Sequence, residues 1–122
     1  NLNLIEIPYS IENGEVAFKK LMSCEKPPSV VICDNDVFAV GAIKSAKQHG
    51  YKVPSDISIT GFDDIELASV IEPALTTVHV PHRKMGKIAA RMLVDMIDHK
   101  KPKSRELGTS VIFRETLGPP RL

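Results

Sequence analysis

The stretch from Ser29 to Asp64 restricts the possible folds more than any other. It holds a β-branched apolar run, Ser29-Val30-Val31-Ile32-Cys33, then a segment of helical character ending at Gly50, then a second extended run, Ile57-Ser58-Ile59-Thr60-Gly61-Phe62. The first run is a short apolar stretch that reads as a buried parallel strand, and the second reads as a further strand beyond the intervening helix. Parallel strands need a crossover, and the helix from about Val37 to His49 supplies it, with Gly50 as its left-handed stop.

The same alternation extends both ways. Leu2 to Ile7 reads as a further strand ended by Pro8. Ser10 is the expected N-cap of a helix in which Gly14, Ala17, Phe18, Leu21 and Met22 recur at helical spacing. After Asp63-Asp64 come a short helical segment near Ile65 to Val70 and a fourth extended piece, Leu75 to Val78. A helix beginning at Pro81 follows, with Met85, Ile88, Ala89, Met92, Leu93, Met96 and Ile97 on one apolar stripe. That stripe is expected to pack into a core. The tail, Ser110 to Leu117, supplies one or two short strands. Repeated β-α-β units predict an α/β fold, a doubly wound and mostly parallel sheet.

In such sheets ligands gather at the carboxyl ends of the strands. Three places are singled out: Tyr9-Ser10, Asp34-Asn35-Asp36 and Phe62-Asp63-Asp64. Carboxylates and an amide can pair with hydroxyls or ring N–H groups, and Tyr9 can stack on a sugar or base. The candidate contacts are Tyr9, Asn35, Asp36 and Asp63, facing a sugar, sugar acid or purine. The alternative is that Asp34, Asn35 and Asp36 turn the chain and cap the next helix.

Composition limits the other functions open to the chain. A formal charge of +1 over 122 residues argues against a nucleic-acid-binding module, and the basic run Lys100 to Arg105 reads as a solvated loop. No apolar stretch is long enough to span a bilayer. Cys24 and Cys33 lack a redox or zinc spacing; Cys33 is expected as a core thiol, and the pair suggests a reducing, cytoplasmic setting. There is no Gly-rich phosphate loop, nucleophile elbow or HExxH helix, so neither an enzyme nor a cofactor is expected. His79 and His82 could share a loop, but the four histidines show no metal-ligand spacing. The chain opens at Asn1, which suggests a piece cut from a longer protein.

Four segments, in order, resemble the LacI/GalR family of bacterial transcription regulators. Asn35-Asp36-Val37-Phe38-Ala39-Val40-Gly41-Ala42 is similar to the family's N-D-x-x-A-x-G-A, and Val53 to Asp64 to its V-P-x-D-I-S-x-x-G-F-D-D. Pro73-Ala74-Leu75-Thr76-Thr77-Val78 with Met85-Gly86 matches P-x-L-T-T-V…x-G, and Arg114 sits where the closing strand carries arginine. The resemblance implies the effector-binding region of such a regulator, with a type I periplasmic-binding-protein-like fold that is incomplete here. It places residues 1–80 in the C-terminal lobe, the helix of 81–100 mainly in the N-terminal lobe, and 101–122 back in the C-terminal lobe. It implies effector contacts at Tyr9, Asn35, Asp36 and Asp63, and a homodimer contact at Val37, Val40 and Ile71. DNA would be met only through an N-terminal helix-turn-helix outside this chain. One position departs: several members carry glutamine where this chain has Val80, so a less polar contact is expected there. The same fold also serves sugar-binding proteins of transport systems, and a carboxylate-dependent enzyme is a further alternative.

Overall fold

Helix α1, Ile11–Met22, begins where Ser10 turns extended and its Oγ accepts from the Asn13 N–H at 3.0 Å. Glu12 in its first turn and Lys19 and Lys20 in its last complement the helix dipole. Helix α2, Asp36–Gln48, starts the same way, with Asn35 Oδ1 accepting from the Phe38 N–H at 3.0 Å. Gly50 stops it at φ 78°, a backbone region that glycine enters freely. In this computed structural model, which describes residues 3–119, the two helices lie against each other through Gly14 and Gly41. A Cβ on Gly41 would strike the carbonyl of Ile11, so only glycine admits this approach.

Strands β1, Val30–Ile32, and β2, Ser58–Thr60, are parallel and in register from Val30↔Ser58 to Ile32↔Thr60. Helix α3, Glu66–Val70, leads from β2 toward β3, Thr77–His79. Parallel bridges Thr60↔Thr76 and Asp63↔His79 set β3 beside β2. Strand β4, Ser110–Ile112, closes the order β1-β2-β3-β4 as the antiparallel partner of β3. The chain then returns to the core at Thr116, a buried residue whose Oγ1 accepts from Thr76 N–H at 2.9 Å and whose carbonyl accepts from Ile59 N–H at 3.0 Å.

Phe18, Ile43, Ile57, Ile59 and Leu75 form the core between these strands and helices α1 and α2. The Tyr51 ring meets Phe18 edge-on, with centroids 5.9 Å apart. Helix α4, His82–Ile97, contrasts with this: none of its residues is buried.

Two expectations change. The run Leu2 to Ile7 is not a strand: Leu2 lies outside the described residues, and Asn3 to Pro8 are irregular. Asn3 to Ile7 and Val30 to Cys33 both line an apolar groove of about 530 Å³. A ladder requires backbones about 4.8 Å apart along the hydrogen bonds, and such a groove leaves no room for one. The tail forms one short strand, within the expected one or two. Cys33 is half-buried rather than fully enclosed, though burial, reinforced by Asp34 and Asp36, pushes its thiol up to about 12.

Candidate functional site

The parallel register aligns the ends of β1, β2 and β3, so the loops that follow them share one edge. Backbone bonds hold those loops together: Cys33 N–H donates to Thr60 O at 2.8 Å, Asp36 N–H to Phe62 O at 2.9 Å, and Asp63 N–H to Val78 O at 3.0 Å. Tyr9 joins the same edge from the start of α1. Its ring, 66% exposed, meets Phe38 edge-to-face at 6.0 Å and 76°.

The polar residues on this edge divide into inner and outer ones. Asn35 is spent mainly on local structure, with Oδ1 capping α2 and Nδ2 donating to Asp34 Oδ1 at 2.9 Å. Asp36 does not face the edge at all. It is 1% exposed, its Oδ1 accepts from Thr77 Oγ at 2.5 Å, and its Oδ2 accepts from Ile65 N–H at 2.9 Å. The assignment of Asp36 as an effector contact is therefore corrected. Its carboxyl ties α2, the loop before α3, and β3 into one unit. Gly61 is required by the same feature, because a Cβ there would collide with Asp36 Oδ1.

Asp63 and Asp64 follow β2 with φ of 108° and 55°. Non-glycine residues rarely enter this region, and aspartate tolerates it better than most; such strain persists only where the surroundings enforce it. Asp63 remains partly open, its side chain 35% exposed, with Oδ1 3.6 Å from His82 Nε2. Asp64 is enclosed. Arg114 Nη2 donates to its Oδ1 at 2.6 Å, and His79 Nδ1 lies 2.9 Å from its Oδ2. Burial raises the Asp64 carboxyl, but the bonds from Arg114 and His79 outweigh it and hold the group below the usual carboxylate range.

Sequence reasoning noted Asp64, His79 and Arg114 separately and did not join them. They lie 15 and 50 residues apart, and no local spacing encodes such a contact. The one available signal was the closing-strand arginine. Each loop histidine meets a different aspartate, and among the described residues no group of three or more metal-ligating side chains forms. Val80 borders a second apolar cavity of about 470 Å³ with Phe62, Pro81 and Met85. Of the expected dimer residues, Val37 and Val40 are half-buried, and Ile71 packs partly against the core.

Parallel strands whose polar loops meet on one edge are the ligand-binding arrangement of open α/β domains, and a model of the periplasmic binding protein-like domain matches residues 3–117. Over 116 residues the chain is 35% identical to the HTH-type transcriptional repressor PurR of Vibrio parahaemolyticus, covering 93% of this chain and 35% of that protein. A LacI family transcriptional regulator from Bifidobacterium animalis superposes with a TM-score of 0.86 at 30% identity, over 93% of this chain and 42% of that one. The transcriptional regulator CelR in complex with cellobiose superposes with a TM-score of 0.82 at 29% identity, over 88% and 34%. The chain belongs to the periplasmic binding protein-like family, and the relatives and solved structures it resembles here are transcriptional regulators, one of them named as of the LacI family. It spans about a third of the length of the curated relatives it matches.

Proposed function

We propose that this chain is the effector-sensing and dimer-forming portion of a LacI-type DNA-binding regulator and supplies one wall of an interlobe cleft. The observation that carries this reading is the shared edge: Asn35 and Asp63 stand on loops bonded to one another at the ends of parallel strands, and the Tyr9 ring meets that edge through Phe38. An exposed aromatic ring beside an amide and a partly open carboxylate suits a small hydroxyl- or N–H-rich molecule. The sugar in the CelR complex is of this kind. Asp36 organises the wall from within and does not touch the ligand.

The effector acts by preferring one arrangement of the two lobes, since equal affinity for both shifts no equilibrium. Helix α4 supports this geometry. With no buried residue, it offers an apolar face to a lobe formed by other residues of the parent polypeptide. DNA contact belongs to that polypeptide's N-terminal head. Among the described residues no helix is long and apolar enough to cross a membrane.

Calorimetry of the full-length protein against sugars, sugar acids and purines tests the cleft. One class should bind, and Asp63→Asn should weaken it by about tenfold or more, on the order of the 1.5–3 kcal/mol of a charged hydrogen bond. If no member of the panel binds, the cleft assignment fails; hydrolysis of a sugar abolished by Asp63→Asn would instead favour an enzyme. Val37, Val40 and Ile71 are proposed for the dimer contact. Sedimentation of Val40→Asp should show a monomer, and unchanged dimerisation would remove Val40 from the interface.

A further inference from the structure

The two aspartates after β2 are neighbours in sequence and opposites in environment. Asp64 has both oxygens engaged, one by Arg114 and one by His79. Arg114 is itself fixed at three points: Nη2 on Asp64, Nη1 donating to Leu75 O at 2.8 Å, and its backbone N–H donating to Thr76 Oγ at 2.9 Å. His79 is the last residue of β3 and stands three residues before the start of α4. Among the described residues the ion-pair partner of Asp63 is His82, at 3.6 Å, beyond a good hydrogen bond. The Asp63 backbone, however, is stitched to β3 through Val78 O. Two successive left-handed aspartates do not hold this turn unaided.

We propose that Arg114, Asp64 and His79 form a positioning strut: they hold the 61–64 turn in its left-handed form, present the Asp63 carboxylate to the cleft edge, and fasten that turn to the strand leading through Val80 and Pro81 into α4. The strut acts through Asp63 and touches no ligand. Its bearing on effector binding rests on the cleft reading above; its mechanical part does not. Because α4 faces the other lobe in that reading, the strut gives a load at Asp63 a direct bonded route to the point where the chain leaves this lobe.

Amide hydrogen exchange of the full-length protein, expressed as protection factors, tests the strut without a ligand. Asp64→Asn should lower protection at residues 61–65 and 80–84 by about tenfold or more while α1 and α2 stay as in wild type. Where Asp64→Asn fails to fold, His79→Gln and Arg114→Lys carry the measurement. Unchanged protection in the variants overturns the strut. Calorimetry with cellobiose, gluconate and adenosine as probes then separates the readings. A strut-dependent exchange pattern with a probe that binds Asp63→Asn as well as wild type sustains the strut and defeats the assignment of Asp63 as a contact.

Discussion

Helices α2 and α4 obey the same spacing rule and end in opposite environments. Helix α2 buries Ala39, Ala42, Ile43 and Ala46 against its own chain. Helix α4, longer at 16 residues and with a clear apolar stripe, buries none, and Leu93, Met96 and Ile97 stand 59%, 60% and 68% exposed. Periodicity writes a helix and the direction of its apolar face. It does not write what will cover that face. For α2 the cover is α1, whose glycine meets the glycine of α2. For α4, Phe62, Val80 and residues between Ser104 and Thr109 line a cavity with its apolar side chains, and none of them buries it.

The contrast is broken most directly at Gly41. A methyl group there collides with the Ile11 carbonyl and crowds Gly14, and neither is a flexible side-chain tip that can move aside. Gly41→Ala should therefore destabilise the chain by roughly 3 kcal/mol or more, at the upper end of overpacking effects. Chemical denaturation followed by circular dichroism measures it. A loss below about 1 kcal/mol would mean that α1 and α2 are less tightly engaged than their backbones imply.

Asp36→Ala comes second. It leaves Thr77 Oγ and the Ile65 N–H without their acceptor inside the protein, and a buried group so abandoned costs about 1–3 kcal/mol. The same denaturation experiment should place this variant between Gly41→Ala and wild type. It should also loosen β3 relative to α2, seen as faster exchange at Thr77. An unaffected midpoint would return Asp36 to the solvent-facing edge.

That residue marks how far the sequence could be read. The β-α-β order, the caps at Ser10 and Asn35, the stop at Gly50 and the start of α4 after Pro81 were legible because each is decided within a few residues. Asp36 in the first turn of α2 looked equivalent to Asn35. Its inward turn is decided by Thr77, 41 residues away, and by the absence of a side chain at Gly61. The Arg114–Asp64 pair spans 50 residues and was invisible for the same reason. The first strand failed because pairing is a tertiary event: Asn3 to Ile7 is rich in apolar residues but is irregular, and it lines one groove together with β1.

Acid should reveal Asp64 next. Its carboxyl titrates below the usual range when folded, so its contribution to stability is complete above the unfolded value of about 4 and is lost as pH falls through the folded value. Between pH 5 and pH 3 wild type should therefore lose more stability than Asp64→Asn, which has no such group to protonate. Thermal melts at half-unit pH steps give the two slopes. Parallel slopes would show that Arg114 and His79 do not favour the charged form.

The smallest effect is expected at the glycine of α4, and it closes the comparison. A Cβ at Gly86 meets nothing within 4 Å, whereas one at Gly41 meets backbone. Alanine in an exposed helix interior is favoured over glycine by about 0.5–1 kcal/mol, because glycine loses more freedom on becoming helical. Gly86→Ala should thus firm α4 itself, visible as slower exchange from Lys87 to Met92. The global unfolding midpoint should shift by less than about 0.5 kcal/mol, since a segment that shares little of the core opens without it. A loss above about 1 kcal/mol would mean that a close partner already lies against this face of α4 within the chain, and that the helix is not waiting for one from elsewhere.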